Sequence, residues 1–452
     1  MLTDPVSVQY LLLSLSIGVL ALIVIVVSIW LLKQWQSPFT SLVALSVALL
    51  DSLGLALLPF LEWSLPYADA VVVYLPGSGV GLGIYARHVM AHILTLSIFL
   101  AFLIFAWVRS RGRLDRQGKT WGQGISTMIL TRYGILVVGI SLVWTAYFYY
   151  KYFVQGPGLS LLINQSLSFS SPEEAVTARS LAASQVGVGQ GAFGALIASY
   201  TLVPYLVTVA VFLINRPGVF YTAWGIGLGL SLAYTLQTYQ KAPVAFTVIT
   251  YSVLLFVGLA RKKGMSVAVR RGPFVVALLG AVVGVVLYVV NFGLGVGAAL
   301  WSFVARVLLV PANTEGYWFW VYPALLPFWG LHRSLNTNME IIRETAYTAT
   351  GDIFSANASF IAVGWAGGGF LGVLLGTVTL VAYAFWMDSL SRKRPRVLSM
   401  LSGALLVPSL FFLNSGTVFD FLFKGGLLPA LLLVSLRSGR AKAERNPDGG
   451  RG

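Results

Sequence analysis

The sequence predicts an all-α protein, a polytopic bundle of transmembrane helices. Hydrophobic residues make up 57% of the chain and charged residues only 10%. Apolar runs of about 20 residues, the length that an α-helix needs to cross a bilayer, recur from one end of the chain to the other. Lys and Arg concentrate in alternate connecting segments, as they do in cytoplasmic loops. These observations exclude a soluble protein and leave no room for a separate soluble domain.

The hydropathy pattern predicts about eleven spans. The first apolar run, Leu11 to Leu32, follows Asp4 rather than a basic segment and has no small-residue cleavage site. We therefore interpret this run as a retained span and not as a signal peptide. The predicted spans are residues 10–32, 40–61, 89–108, 133–154, 192–214, 219–236, 243–260, 273–299, 358–385, 397–413 and 415–436.

Basic clusters at residues 109–119, 261–271, 392–396 and 437–451 orient the predicted bundle. All four fall on one side, which the positive-inside rule identifies as cytoplasmic. The amino terminus is then outside and the carboxyl terminus cytoplasmic.

Two long segments, 155–191 and 300–357, lie on the outer face in this topology. They carry mixed charges, which plain connectors do not need, so the outer face is the expected working face. We predict one transmembrane domain over residues 1–436 and a disordered, polar, Gly-rich cytoplasmic tail over 437–452.

Composition also limits the chemistry. The chain has no cysteine, so neither disulfides nor thiolate metal sites can form. The net charge of +15 resides mainly in the basic segments on one side of the predicted bundle. That distribution indicates membrane orientation rather than a nucleic-acid partner.

Arg306 is the most unusual cation, because it interrupts the apolar run from Val304 to Val310. A guanidinium in such a place needs an anion, a carboxylate or water. An anionic substrate is one reading, and pairing with Glu315 or Asp352 is the alternative. Three further cations are candidates for the same anion-binding role, with loop solvation, snorkelling or surface ion pairing as the alternatives: Arg179, Lys241 and Arg343.

The outer segment 300–357 also supplies candidate general bases. His332 stands beside Arg333 in the polar part of this segment, and Glu344 and Asp352 follow it. Imidazole and carboxylate groups are the usual proton acceptors in enzymes. Aromatic residues from Tyr317 to Trp329 precede them, and these rings suit either a membrane interface or stacking on sugar rings.

His88 and His92 are four residues apart and share one helix face, as a metal pair would. The sequence offers no third ligand at a recognisable spacing, so packing or interfacial hydrogen bonding is the favoured interpretation and no metal is predicted. Asp51 lies near the middle of a predicted span. It fits either a proton path, as in a transporter, or a carboxyl group hydrogen-bonded within the bundle.

Three stretches resemble the oligosaccharide repeat-unit polymerases, the Wzy-type O-antigen and capsule polymerases of bacteria. One is Gln240-Lys241-Ala242-Pro243, which leads to the basic Arg261-Lys262-Lys263. The second is Arg306 to Ala312, followed by the aromatic residues. The third is Asn357-Ala358-Ser359-Phe360 to Gly364-Trp365, followed by Gly369-Phe370-Leu371-Gly372. The chain departs from the family where Ala362-Val363 precedes Gly364 in place of an acid, and where Gln190 follows Arg179 in place of a glycine ten residues on.

The resemblance implies a glycosyltransferase resembling the GT-C class of integral membrane enzymes. It would join polyprenyl-diphosphate-linked repeat units on the outer face of the bacterial cytoplasmic membrane. Arg179, Lys241, Arg306 and Arg343 would bind the diphosphate, Tyr317 and Asn357 the glycan, and His332, Glu344 or Asp352 would take the acceptor proton. No cofactor, metal or nucleic acid is implied; the implied partners are the lipid-linked glycan, membrane lipid, a chain-length regulator and a flippase. A glycan ligase, a transporter or lipid flippase, and a non-enzymatic scaffold are the alternatives.

Overall fold

The computed structural model describes most of the predicted bundle as helix. It describes residues 5–34, 37–60, 81–111, 128–150, 202–214, 217–235, 247–255 except 253, 293–335, 339–350, 359–410 except 393 and 395, and 416–438, with isolated residues at 154, 282, 284–286, 289–290 and 413. The predicted substrate contacts Arg179, Lys241 and Asn357 and the predicted base Asp352 lie outside these residues, and so does the Arg343 side chain.

Helices account for nearly all of the described chain. In chain order they are α1 (Pro5–Gln34), α2 (Pro38–Leu57), α3 (Leu82–Arg111), α4 (Arg132–Tyr150), α5 (Val203–Ile214), α6 (Pro217–Thr235), α7 (Val296–Val321), α8 (Met339–Thr350), α9 (Phe360–Ser391), α10 (Arg396–Leu410) and α11, which joins Val418–Phe421, Leu422–Gly426 and Leu427–Ser435. The two strands, β1 (Met128–Leu130) and β2 (Leu436–Ser438), pair antiparallel. Arg437 and Ser438, predicted to begin a disordered tail, therefore belong to a strand.

Six of the described helices are long and apolar enough to cross a membrane: α1, α2, α3, α4, α7 and α9. The protein is thus an all-α polytopic membrane protein by the length and composition of its helices. The structure differs from the prediction at α7. Residues 300–321 were assigned to an outer-face loop, whereas they belong to a 26-residue apolar helix.

Helix α1 is apolar on all sides, and one of its faces anchors it to the bundle. Its buried positions are spaced alternately three and four residues apart and form one seam, which packs against α2 and α3. The opposite face exposes large aliphatic side chains, as expected of a surface that meets lipid. The seam consists of Ser14, Ile17, Ala21, Val24, Ser28 and Leu31.

The chain divides into two compact units. One contains residues 1–114, 300–388 and 409–423, and so holds α1, α2, α3, α8 and most of α7 and α9. The other contains 115–299, 389–408 and 424–452, with α4, α5, α6, most of α10 and the two strands. The candidate site described below lies wholly within the first unit.

A carboxylate from a distant part of the first unit caps the first turn of helix α2. Ser37, the residue before the helix, makes no side-chain cap. Asp388, near the end of α9, accepts hydrogen bonds from the amides of Phe39 at 2.9 Å and Thr40 at 3.2 Å, and from the Thr40 hydroxyl at 2.6 Å. A buried carboxylate thus satisfies amides that the first turn of a helix leaves free.

Helix α9 is broken at two glycines. Gly369 has a φ of 61°, in the region that favours glycine, and Gly368 also departs from helical geometry. Gly364 and Gly372 touch through their backbones. Residues eight apart in a continuous helix would be about 12 Å apart along the axis, so the chain folds back on itself here. The glycines of the third resemblance stretch therefore have a packing role.

Candidate functional site

A stripe of buried polar side chains runs along one face of α3. Tyr85, His88, His92 and Thr95 are spaced three, four and three residues apart, so they share one helical face. All four side chains are fully buried. Buried polar groups in a membrane bundle need partners, and the stripe finds them on four different helices.

The ends of the stripe bond to α1, α2 and α9. The Tyr85 hydroxyl lies 2.6 Å from Ser14 Oγ on α1 and donates to the carbonyl of Leu55 on α2 at 3.2 Å. The Thr95 hydroxyl lies 3.2 Å from that of Thr377 on α9. These neutral hydrogen bonds fix how α3 is rotated about its axis.

The centre of the stripe meets a single carboxylate from α7. The Nε2 atoms of His88 and His92 each lie 2.9 Å from Oε2 of Glu315. All three side chains are fully buried. Glu315 Oε1, also buried, has no hydrogen-bond partner among the described residues. One carboxylate oxygen therefore bonds both imidazoles, and the other has no hydrogen bond within the described part of the chain.

Two further contacts orient the imidazoles. His92 Nδ1 lies 3.0 Å from the hydroxyl of Ser52 on α2. The His88 ring stacks on Phe319, one turn beyond Glu315 on α7, with ring centroids 4.4 Å apart and planes at 22°. Both rings consequently hold Nε2 toward Glu315.

Asp51 adds a second buried carboxyl group. It is fully buried next to Ser52 in α2 and interacts electrostatically with Glu315. Two carboxyl groups and two imidazoles are thus gathered from three helices. Donor atoms of His88, His92 and Glu315 all lie within 4.8 Å of one another, so these three residues could hold a metal ion.

Asp51 and Arg306 both lie in π-helical turns. Val47–Ser52 interrupts α2 and Ala305–Leu309 interrupts α7. The two turns pack against each other, and Gly54 lets the α2 backbone touch the carbonyl of Leu308. Such turns are frequent at functional sites because they redirect side chains from the regular helical ladder.

Arg306 is exposed on the apolar helix α7. Its predicted alternative partner Glu315 bonds the two histidines instead. Among the carboxylates that the structure describes, none lies within 4.0 Å of the guanidinium. Arg306 is therefore available to an external anion as far as the described residues extend.

The other described candidates differ in exposure. His332 is exposed in a short turn, Leu331–Arg333, and Glu344 is exposed on α8. Tyr317 is buried, at 4% exposure, so its ring is not presented for sugar stacking as we predicted.

Most of the aromatic residues from Tyr317 to Trp329, here called the aromatic patch, pack against one another and against Trp365. Trp318, Tyr322 and Trp329 contact one another edge-on or tilted, and Trp365 Nε1 donates to the Tyr322 carbonyl at 2.9 Å. Burial raises the pKa of the Tyr322 phenol to about 12, so this residue remains a neutral hydrogen-bonding group. Phe328, 40% exposed, is the large aromatic of this patch that offers an open surface.

His88, His92 and Asp51 stand out in the sequence, whereas their partner Glu315 does not. The spacing of the two histidines was the available signal, and the missing third ligand lies 223 residues beyond His92. Comparisons with protein-family models, curated proteins and solved structures found no match for this chain.

Proposed function

We propose that the protein is a membrane-embedded glycosyltransferase that polymerises polyprenyl-diphosphate-linked oligosaccharide repeat units. It acts at the outer face of the bacterial cytoplasmic membrane and produces O-antigen, capsular or exopolysaccharide chains. One observation carries the proposal: the Arg306 guanidinium is exposed on an apolar helix and has no carboxylate partner among the described residues.

The charge of Arg306 suits this substrate. A lipid tail holds the diphosphate at the membrane, where a cation on an apolar helix can reach it. Arginine offers a planar fork of donors that matches phosphate oxygens. Its location in a π-helical turn, packed against α2, limits the movement of the backbone that carries it.

The proposed reaction is a glycosyl transfer. A hydroxyl of the acceptor repeat unit attacks the anomeric carbon of the donor glycan, and the bond from that carbon to the diphosphate oxygen breaks. Arg306 neutralises the charge that develops on the departing polyprenyl diphosphate, an electrostatic contribution of the oxyanion-hole type. A base accepts the hydroxyl proton, and the exposed His332 and Glu344 are the described candidates.

The test is polymer formation from a defined substrate. Wild-type protein in liposomes receives a polyprenyl-diphosphate oligosaccharide of one repeat unit, with no nucleotide sugar. We expect longer glycans with wild-type protein and none with Arg306→Ala. Arg109→Ala is the matched control, because Arg109 is an exposed arginine of α3 in a segment predicted to be cytoplasmic.

Two results would contradict the proposal. One is unchanged substrate with well-folded wild-type protein. The other is equal polymer from the Arg306 and wild-type proteins.

A second candidate, a proton-coupled transporter, is favoured by the buried cluster of Asp51, His88, His92 and Glu315. Ionisable side chains buried within membrane bundles often carry protons or ions. Proton uptake into proteoliposomes, reported by a trapped pH dye and lost with Asp51→Asn, would support this candidate. Absence of uptake with wild-type protein across a panel of solutes would count against it.

A further inference from the structure

We propose that His88, His92 and Glu315 bind a divalent transition-metal ion, best matched by zinc, which links α3 to α7 inside the bundle. The site is buried and contains none of the residues that the proposed polymerase reaction uses. It reverses the sequence-based expectation of no metal.

The donor set is the first support. Two imidazole nitrogens and one carboxylate are ligands that zinc prefers, and a three-residue set of this kind recurs in protein zinc sites. The ligand atoms come from two helices and all lie within 4.8 Å of one another.

The present spacing is close to that of a coordination sphere. Zinc holds nitrogen and oxygen ligands at about 2.0–2.2 Å, so neighbouring ligand atoms in a tetrahedron are about 3.3 Å apart. Each Nε2 is now 2.9 Å from Glu315 Oε2. A widening of these two contacts by a few tenths of an ångström, with the imidazole nitrogens, which lie within 4.8 Å of each other, brought to about 3.3 Å, would replace two hydrogen bonds by metal bonds.

The surroundings of the ligands are the second support. When Nε2 of His92 binds a metal, its proton resides on Nδ1, and the Ser52 hydroxyl 3.0 Å away can accept that hydrogen bond. Such an outer partner orients a ligating imidazole and strengthens it as a ligand. Phe319 fixes the plane of the His88 ring by stacking.

The unsatisfied oxygen of Glu315 is the third support. Glu315 Oε1 is buried without a hydrogen bond among the described residues, an arrangement that costs free energy. A divalent cation would give Oε1 a ligand role.

The experiment measures metal content of the full-length protein, purified without chelators through a tag that contains no histidine. After loading with zinc chloride and removal of excess ion, we expect about one zinc per chain by mass spectrometry. The chain has three histidines. His332→Ala, the matched control, should therefore retain the ion with both ligating imidazoles intact.

Substitution of a ligand should lower zinc binding more than substitution of Ser52, which only supports a ligand. His92→Gln and Glu315→Gln should reduce the content to near zero. Ser52→Ala, which keeps all three ligands, should weaken affinity about 10- to 100-fold in a chelator competition. Retention of zinc at wild-type level by both ligand variants would overturn the assignment.

The wild-type protein alone decides the question if the ligand variants do not fold. Cobalt(II) bound to this nitrogen and oxygen set should give visible ligand-field absorption that zinc displaces. A monodisperse wild-type protein that takes up neither zinc nor cobalt would show that the three side chains form a hydrogen-bonded link only, and would overturn the proposal.

Discussion

Arg306 and Glu315 stand on the same helix, nine residues apart, in opposite surroundings. Their separation along α7 is about 13 Å. Glu315 is fully buried and bonds two histidines, whereas Arg306 is exposed and pairs with none of the described carboxylates. A charged residue in an apolar helix is tolerated either when it has partners inside the protein or when its side chain reaches the protein surface. The first arrangement links helices, and the second leaves a group free to bind a ligand.

The largest effect on stability is expected at Glu315. Glu315→Ala removes the common acceptor of two buried imidazoles, and each buried donor left without an acceptor costs about 1–3 kcal/mol. Chemical unfolding in detergent micelles measures the change. Glu344→Ala, at an exposed position on α8, should change the free energy of unfolding by less than about 0.5 kcal/mol. Equal stability of the two variants would remove the distinction between buried and exposed acids.

A smaller loss is expected where the two π-helical turns meet. Gly54→Val places a side chain against the backbone carbonyl of Leu308, and overpacking of this kind costs about 1–3 kcal/mol. Because Leu308 belongs to the turn that carries Arg306, polymer formation should fall as well. Gly83→Val is the control, since among the described residues nothing outside its own stretch of helix backbone lies within 4 Å of its added Cβ. Full activity of the Gly54 variant would show that the turn need not be held in place.

Ser52→Ala tests the support of His92 at a cost of about 1 kcal/mol, the usual value of one hydrogen bond. Ser16→Ala is its counterpart, because the exposed Ser16 hydroxyl donates to the carbonyl of Leu12 within its own helix. We expect a measurable shift of the unfolding curve for Ser52→Ala and none for Ser16→Ala. Identical curves for the two variants would mean that the hydroxyl contributes nothing to the buried cluster.

The smallest effect on stability, and the largest on function, is expected at Arg306. Arg306→Ala removes an exposed side chain and should change the free energy of unfolding by less than about 0.5 kcal/mol. Polymer formation should nevertheless be lost. A strong destabilisation would indicate that Arg306 has a structural role, and the comparison with Glu315 would then fail.

Sequence reasoning predicted the helical membrane class because mean hydropathy and span length are local properties. Long spans such as α1, α3 and α9 were predicted close to their observed places. Helix α7 was missed because Arg306, Pro311, Asn313 and Glu315 lower its local hydropathy. Glu315 can remain inside the bundle because it bonds His88 and His92 there, and no local sequence pattern reveals such distant partners.

The candidate site was predicted only in fragments. The spacing of His88 and His92 indicated a shared face, and Asp51 stood out as an acid within a span. Their convergence on Glu315 depends on how distant helices pack, and so do the π-helical turns that hold Asp51 and Arg306. Tyr317 shows the opposite error, because the sequence could not indicate that its ring is buried.

The carboxylate of Asp388 at the start of α2 has a consequence for biogenesis. Thr40 precedes Asp388 by 348 residues. At about 5–20 residues per second, a ribosome needs roughly 20–70 s to make the intervening chain. The second helix therefore enters the membrane long before its cap exists, and its leading amides need water, headgroups or an insertion factor during that interval. Completion of α9 ends this dependence, so the native start of α2 forms late in synthesis.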